Sequence, residues 1–271
     1  MTEKEYRDHP AVSRSELWGL RDSPEKFIYH REHPDEPTPA LIFGQLVHKL
    51  VLQAETFRED FAVAPDADRR TKAGKEAWEA FQADLADGVT VVSRADFAKA
   101  AEMAQAVASH PLAARLLGID GRGRHETAHF WTDPDTGEEC KCRTDAETVI
   151  DGQLWVVDYK TTADASTEGF QREANKYGYD FQAAMYSEGV EADTGERPRF
   201  AFVAQEKAPP YAINIFVADN DFTVRGYDIF RELLGLYHEC KETGNWYGYL
   251  GPDNTVNILE LPAWLREKSE N

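Results

Sequence analysis

Two neighbouring stretches, Lys141-Cys142-Arg143-Thr144-Asp145 and Leu154-Trp155-Val156-Val157-Asp158-Tyr159-Lys160-Thr161-Thr162, decide how the rest of the chain reads. Between them Asp151-Gly152 supplies the residues of a tight turn, so strands are expected over 139–149 and 153–160. Folding the chain back at that turn sets Asp145 beside Asp158. Side chains alternate along a strand, so Asp158 and Lys160 project from one face. Trp155, Val156 and Val157 make an apolar approach that buries the strand and leaves its charged end at a rim, where charges are costly unless paired or metal-bound. Two carboxylates and a lysine on one face suit phosphodiester cleavage. Hard oxygen ligands hold Mg²⁺, the ion polarises the phosphate and lowers the pKa of a bound water, and the lysine orients that water. Short D-x-K strings are common, and the plainer alternative is a hairpin carrying a surface Asp158–Lys160 salt bridge.

Working outward, a strand is expected over 126–131, with a turn at Asp133-Pro134-Asp135-Thr136-Gly137. Toward the C-terminus come a helix over 170–188, its start blurred by Gly178, strands over 199–205 and 212–217, and a long helix over 222–241. The first 110 residues read as mostly helical. Ser13-Arg14-Ser15-Glu16 has capping-box spacing and Ser23-Pro24 sets a cap before a first-turn proline, which predicts a helix over 13–30 broken near Ser23. Pro34, Pro37 and Pro39 mark a loop. The run that starts at Ala40 is apolar on most sides, as in a buried helix, and apolar spacings of three and four predict helices over 71–85 and 94–109. A tail holding Trp246, Tyr247, Tyr249, Pro262 and Trp264 is expected to pack on the body. A mostly helical part (1–120) followed by a sheet-containing part (121–271) gives an α/β or α+β fold with an N-terminal helical extension, read as a single domain over 1–271.

Two helical strings add polar groups to this frame. In Gly44-Gln45-Leu46-Val47-His48, Gly44 and His48 lie one turn apart on the same side. The glycine permits close backbone approach and the histidine can turn a ring nitrogen to a metal, or the pair can be a packed core histidine beside a helix contact. In Phe181-Gln182-Ala183-Ala184-Met185-Tyr186, Gln182 and Tyr186 share a face and offer hydrogen bonds to a nucleotide or to the carboxylates, or belong to an ordinary amphipathic helix.

Composition bounds the rest. Of 271 residues, 42% are hydrophobic and 29% charged, ordinary for a globular chain. No apolar run approaches the about 20 residues of a membrane span, and the polar, mixed-charge N-terminus is not a secretory signal, so a cytoplasmic protein is expected. Three cysteines weigh against an iron–sulfur cluster, which usually takes four. The net charge of −19 opposes nucleic-acid binding. Against it stand two local basic patches, Arg69-Arg70-Thr71-Lys72 with Lys75, and Arg122 with Arg124, each of which is otherwise a solvated charged face.

Taken in order, G-x-x-x-H on a helix, an Asp-bearing strand, D-x-K and Q-x-x-x-Y resemble the RecB-like branch of the PD-(D/E)xK nucleases. Arg70-Thr71-Lys72-Ala73-Gly74-Lys75, Asp158-Tyr159-Lys160-Thr161-Thr162, Tyr179 to Tyr186, and Gln205-Glu206-Lys207 with Pro210-Tyr211 are similar to the phage and prophage exonucleases of the exonuclease VIII (RecE) type. The likeness spans residues 13–264. It implies a PD-(D/E)xK core, a mixed central sheet flanked by helices, with His48, Asp145, Asp158 and the carbonyl of Tyr159 as metal ligands and Lys160 as the catalytic lysine. It further implies Glu126 as an acidic group near the site, Gln182 and Tyr186 as its lining, and Arg70, Lys72 and Lys75 as phosphate contacts. Many relatives carry Glu where this chain has Asp158, one methylene shorter with the same ligand chemistry. The activity implied is Mg²⁺-dependent (or Mn²⁺-dependent) 5′-to-3′ degradation of double-stranded DNA ends, by a ring of subunits (a tetramer by resemblance), leaving 3′ single strands for a single-strand annealing protein. A structure-specific or restriction-type endonuclease shares the core motifs, and an acidic, non-catalytic protein with a nuclease fold would suit the charge.

Overall fold

Side-chain caps start most of the helices where the sequence places them. Ser13 accepts from the Glu16 amide while the Glu16 carboxylate returns to the Ser13 N–H, a complete capping box. Ser23, Thr38, Thr71, Ser93, Ser166 and Asp219 each accept from the amide three residues on. The computed structural model describes residues 3–261. In chain order these form α1 (Glu3–Asp8), β1 (Val12–Ser13), α2 (Arg14–Leu20), α3 (Pro24–Glu32), α4 (Pro39–Leu52), α5 (Phe57–Asp60), β2 (Phe61–Val63), α6 (Lys72–Ala83), β3 (Thr90–Val92), α7 (Arg94–Ser109) and α8 (Pro111–Leu117). The sheet-rich part follows: β4 (Arg124–Thr132), β5 (Glu139–Ile150), β6 (Gln153–Thr162), α9 (Thr167–Tyr177), α10 (Tyr179–Thr194), β7 (Arg199–Glu206), β8 (Ile213–Val217) and α11 (Asn220–Thr243).

The fold is α/β. Its mixed central sheet runs β1-β5-β6-β7-β8, with β4 on the other edge of β5; β1/β5 and β6/β7 are parallel and the remaining pairs antiparallel. Helices cover both faces. On one, Leu46 and Val47 of α4, Met103 of α7 and Leu117 of α8 pack with Val157, Tyr159 and Val203. On the other, Phe170 of α9 and Ala183 of α10 meet Val156, Phe200 and Phe202. A third cluster joins Leu17 and Leu20 of α2 to Phe181, Phe230, Leu234 and Cys142, so the N-terminal helices complete the core.

The expected helix over 170–188 is two helices. Gly178 adopts φ 64°, ending α9 in the left-handed conformation and starting α10. A Cβ there would lie 2.4 Å from the Trp18 ring, so both backbone and packing require glycine. The tail packs only in part: Trp246 stacks on Phe27 at 5.4 Å and the Tyr247 carbonyl accepts from Glu25, whereas Tyr249 is 67% exposed. Pro262 and Trp264 lie outside the described residues.

Candidate active site

The sheet opens at Asp145. On one side of β5 the antiparallel ladder with β6 runs from Ile150↔Gln153 to Ala146↔Val157 and stops, so the next positions, Asp145 and Asp158, face each other without pairing. Further along that side β1 takes over, at Cys140 and Lys141. On the opposite side the ladder with β4 skips from His125↔Ala146 to Thr127↔Thr144, leaving Glu126 unpaired beside Asp145. Glu126 holds φ 51°, a left-handed conformation that costs a non-glycine residue about 1–2 kcal/mol. Such strain persists where surrounding structure enforces it, most often at functional sites.

Side chains from both layers converge on this opening. His48, reaching from α4, places Nε2 2.9 Å from Asp145 Oδ2 and Nδ1 3.2 Å from Glu126 Oε1. One ligand atom from each of these three residues lies within 4.8 Å of the others. The Tyr159 amide, which a continued β5–β6 ladder would direct to a main-chain carbonyl, donates instead to Asp145 Oδ2 at 2.8 Å. Asp158 is 1% exposed; Lys160 Nζ stands 2.6 Å from its Oδ2 and the Gln182 amide donates to its Oδ1. The Lys160 ammonium also sits 4.9 Å over the Tyr179 ring. Asp158 and Lys160 thus share a strand face as the alternation requires, with Asp158 buried and Lys160 half-buried, which sets aside the exposed surface salt bridge.

The electrostatics separate the two aspartates. Burial opposes ionisation of Asp145, yet His48 and Lys160 hold its pKa below the usual carboxylate range. Burial, then the charge of Asp145, pushes Asp158 up to about 6 in spite of Lys160. For His48 burial disfavours the cation, but Asp145 and Glu126 outweigh it and raise the pKa to about 10. His48, Lys160 and Arg143 compensate the three carboxylates, and Asp158 Oδ2 still lacks a hydrogen bond of good geometry among the described residues. One imidazole nitrogen with hard carboxylate oxygens is a donor set that suits a divalent ion such as Mg²⁺ or Mn²⁺.

The structure therefore gathers His48, Glu126, Asp145, Asp158, Lys160 and Gln182. Tyr186 is half-buried near both aspartates, and burial lifts its hydroxyl well above the ordinary range. Arg70, Lys72 and Lys75 stand apart, exposed at the start of α6. Gly44 is not demanded by close approach, since an added Cβ would meet Thr161 Oγ1 at an ordinary 3.9 Å. Arg143, which sequence reasoning passed over, is at the centre: its Nε lies 2.8 Å from Glu126 Oε2. Its place two residues before Asp145 was the available signal.

A mixed sheet that opens around carboxylates, a histidine and a lysine is the arrangement of a PD-(D/E)xK-type nuclease fold. Residues 13–254 match the family described as a PDDEXK-like domain of unknown function (DUF3799), and the chain belongs to that family. Among solved structures it is similar to a Eubacterium rectale protein whose exonuclease assignment is provisional, at 16% identity and TM-score 0.61, covering 99% of this chain and 98% of that one. A weaker likeness is to the protein designated SSO0001, at 12% identity and TM-score 0.41, covering 86% of this chain and 81% of that one. No curated protein matches the chain. Among the described residues no helix is long and apolar enough to cross a membrane.

Proposed function

We propose that this protein is a divalent-metal-dependent exodeoxyribonuclease that degrades linear double-stranded DNA from its ends, 5′ to 3′. The observation that carries the reading is the convergence of His48, Glu126, Asp145, Asp158 and Lys160 at one opening of the sheet. His48, Glu126 and Asp145 would hold the ion, with Asp158 and the Tyr159 carbonyl completing its surroundings. Bound there, Mg²⁺ or Mn²⁺ supplies charge to polarise a phosphate oxygen and acidify water. Lys160, steadied by Asp158 and the Tyr179 ring, orients the attacking water, and Gln182 fixes the Asp158 carboxylate. The preference for an exonuclease over an endonuclease rests on the RecE-like strings, as do a ring of subunits around the duplex and delivery of 3′ strands to an annealing protein. A subunit with net charge −19 is compatible with such a ring, because only the channel lining need be basic.

The test is digestion of linear duplex DNA labelled at the 5′ or the 3′ end, with Mg²⁺, Mn²⁺ or EDTA, beside a closed-circular control. Metal-dependent loss from 5′ ends with circles spared supports the proposal. Cut circles would make the protein an endonuclease, and intact DNA in every arm would favour a non-catalytic acidic protein. Lys160→Ala and Asp158→Asn are each expected to lower cleavage by at least about 10²-fold with the fold retained by circular dichroism; wild-type rates in either would move the site elsewhere.

A further inference from the structure

The N-terminal helix α1 is tied to the strand that carries Asp145. Lys141 of β5 is 3% exposed, and its ammonium donates to the carbonyls of Tyr6 at 2.8 Å, His9 at 2.7 Å and Arg7 at 3.3 Å. An ammonium has three donors, so the end of α1 and the residue beyond it accept all three, offsetting the desolvation that burial imposes. Phe130, the cross-strand partner of Lys141, adds ring contacts to Tyr6 at 6.2 Å and to His9 at 4.5 Å. Docked in this way, the Tyr6 ring lies 5.0 Å from the guanidinium carbon of Arg143. Arg143 in turn meets Glu126 Oε2 at 2.8 Å, while Glu126 Oε1 faces His48 at 3.2 Å.

We propose that Tyr6 is a positioning residue for the metal centre: its ring holds the Arg143 guanidinium, which holds one oxygen of Glu126 so that the other is presented to the ion. Glu126 needs this support. Its backbone is in the left-handed region and outside the β4–β5 ladder, so strand pairing does not fix its side chain. A cation over an aromatic face gains about 0.5–1 kcal/mol at exposed sites, and replacing a group that directly orients a metal ligand, as Arg143 orients Glu126, typically costs about 10–100-fold in affinity. The N-terminal segment is thereby part of the active site rather than an appendage. The inference rests on reading His48, Glu126 and Asp145 as a metal centre.

The experiment is calorimetric titration of the full chain with Mn²⁺, without DNA, for wild type, Tyr6→Phe and Tyr6→Leu, with thermal melting of each metal-free protein. Phenylalanine keeps the ring face and should bind Mn²⁺ as wild type does. Leucine keeps an apolar contact to Phe130 but loses the face that meets both Arg143 and Lys141, and should bind Mn²⁺ about two- to fivefold more weakly. In cleavage assays the same variant should need more Mn²⁺ for half-maximal rate and reach the wild-type rate at saturation. If Tyr6→Leu melts lower, Arg143→Lys replaces it: charge is kept, the planar fork is lost, and weaker binding is again expected. Equal affinity in wild type and these variants would overturn this inference alone. A wild-type chain that binds no Mn²⁺ would overturn the metal centre and the inference together.

Discussion

At the scale of single residues, Glu126 concentrates the tension between stability and function. It sits across from Asp145, and like charges in directly opposed strand positions destabilise a sheet; it also carries an unfavourable φ of 51°. Both costs are explicable if the residue is kept for what it binds. Replacing it separates the backbone term from the rest. Glu126→Gly and Glu126→Ala remove the same carboxylate and the same contacts to His48 and Arg143, but only glycine adopts this φ without strain. Glu126→Gly should be more stable than Glu126→Ala by about 1 kcal/mol in urea denaturation, and neither should retain the metal site. An alanine variant as stable as the glycine variant would show that the backbone there is not strained. His48, Asp145, Asp158, Lys160 and Gln182 were legible because each belongs to a short string whose helical or strand period predicts a shared side. Arg143 had a local signal, its place two residues before Asp145, but Tyr6 had none, because its contact to Arg143 spans 137 positions of chain, from α1 to β5.

At the scale of elements, the same distinction separates what the sequence disclosed from what it concealed. β4, β5, β6, α7 and α11 fall close to their expected ranges because each is long enough to show a period and is bounded by turn or capping residues. β1, with two residues, and the parallel pair β2/β3, with three each, carry no period, and their partners are remote in sequence. The turn between β4 and β5 was visible as Asp133-Pro134-Asp135-Thr136-Gly137, but its anchoring was not. Asp133 is fully buried, accepts from the amide and hydroxyl of Thr136 at 2.8 and 2.7 Å, and pairs with Arg231 of α11. Burial alone would raise its pKa; the Thr136 and Arg231 contacts outweigh it and leave the pKa below the ordinary value. A carboxylate with a depressed folded pKa contributes stability that is complete above its unfolded pKa of about 3.9 and is lost as pH falls through the folded value. Asp133→Asn should therefore cost about 3 kcal/mol at pH 7, and the gap to wild type should narrow progressively below about pH 4. Urea denaturation at pH 7 and pH 3 measures both; a gap that is constant with pH would mean Asp133 contributes through shape rather than charge.

For the molecule as a whole, the proposed function requires a chain of net charge −19 to hold a polyanion. Screening confines charge effects to about 8 Å at physiological ionic strength, so local pairing matters more than the total. By that measure the basic residues are unequal. Arg70 is committed to Asp68 through two contacts of 3.0 Å, Arg122 lies 3.5 Å from Asp120, and Arg124 is held by the buried Glu147 at 2.5 Å. Among the described residues Lys72, 91% exposed, has only a loose 3.8 Å contact to Glu76, and Lys75 follows on the same helix. Sequence showed these residues as two patches; the structure shows that carboxylate partners neutralise part of each in advance. A cation already paired with a carboxylate releases few counterions when it meets a phosphate, whereas an unpaired one contributes about 0.9 to the slope of log K against log salt. Measured on duplex DNA with the Lys160→Ala protein, so that the ligand survives, Lys72→Ala should weaken binding and flatten the slope by nearly this amount. Arg70→Ala should change the slope much less, because a guanidinium already paired with Asp68 releases few counterions at a phosphate. An unchanged slope in Lys72→Ala would remove the start of α6 from the interface, and a larger change in Arg70→Ala would mean that the Asp68 pair opens to admit a phosphate.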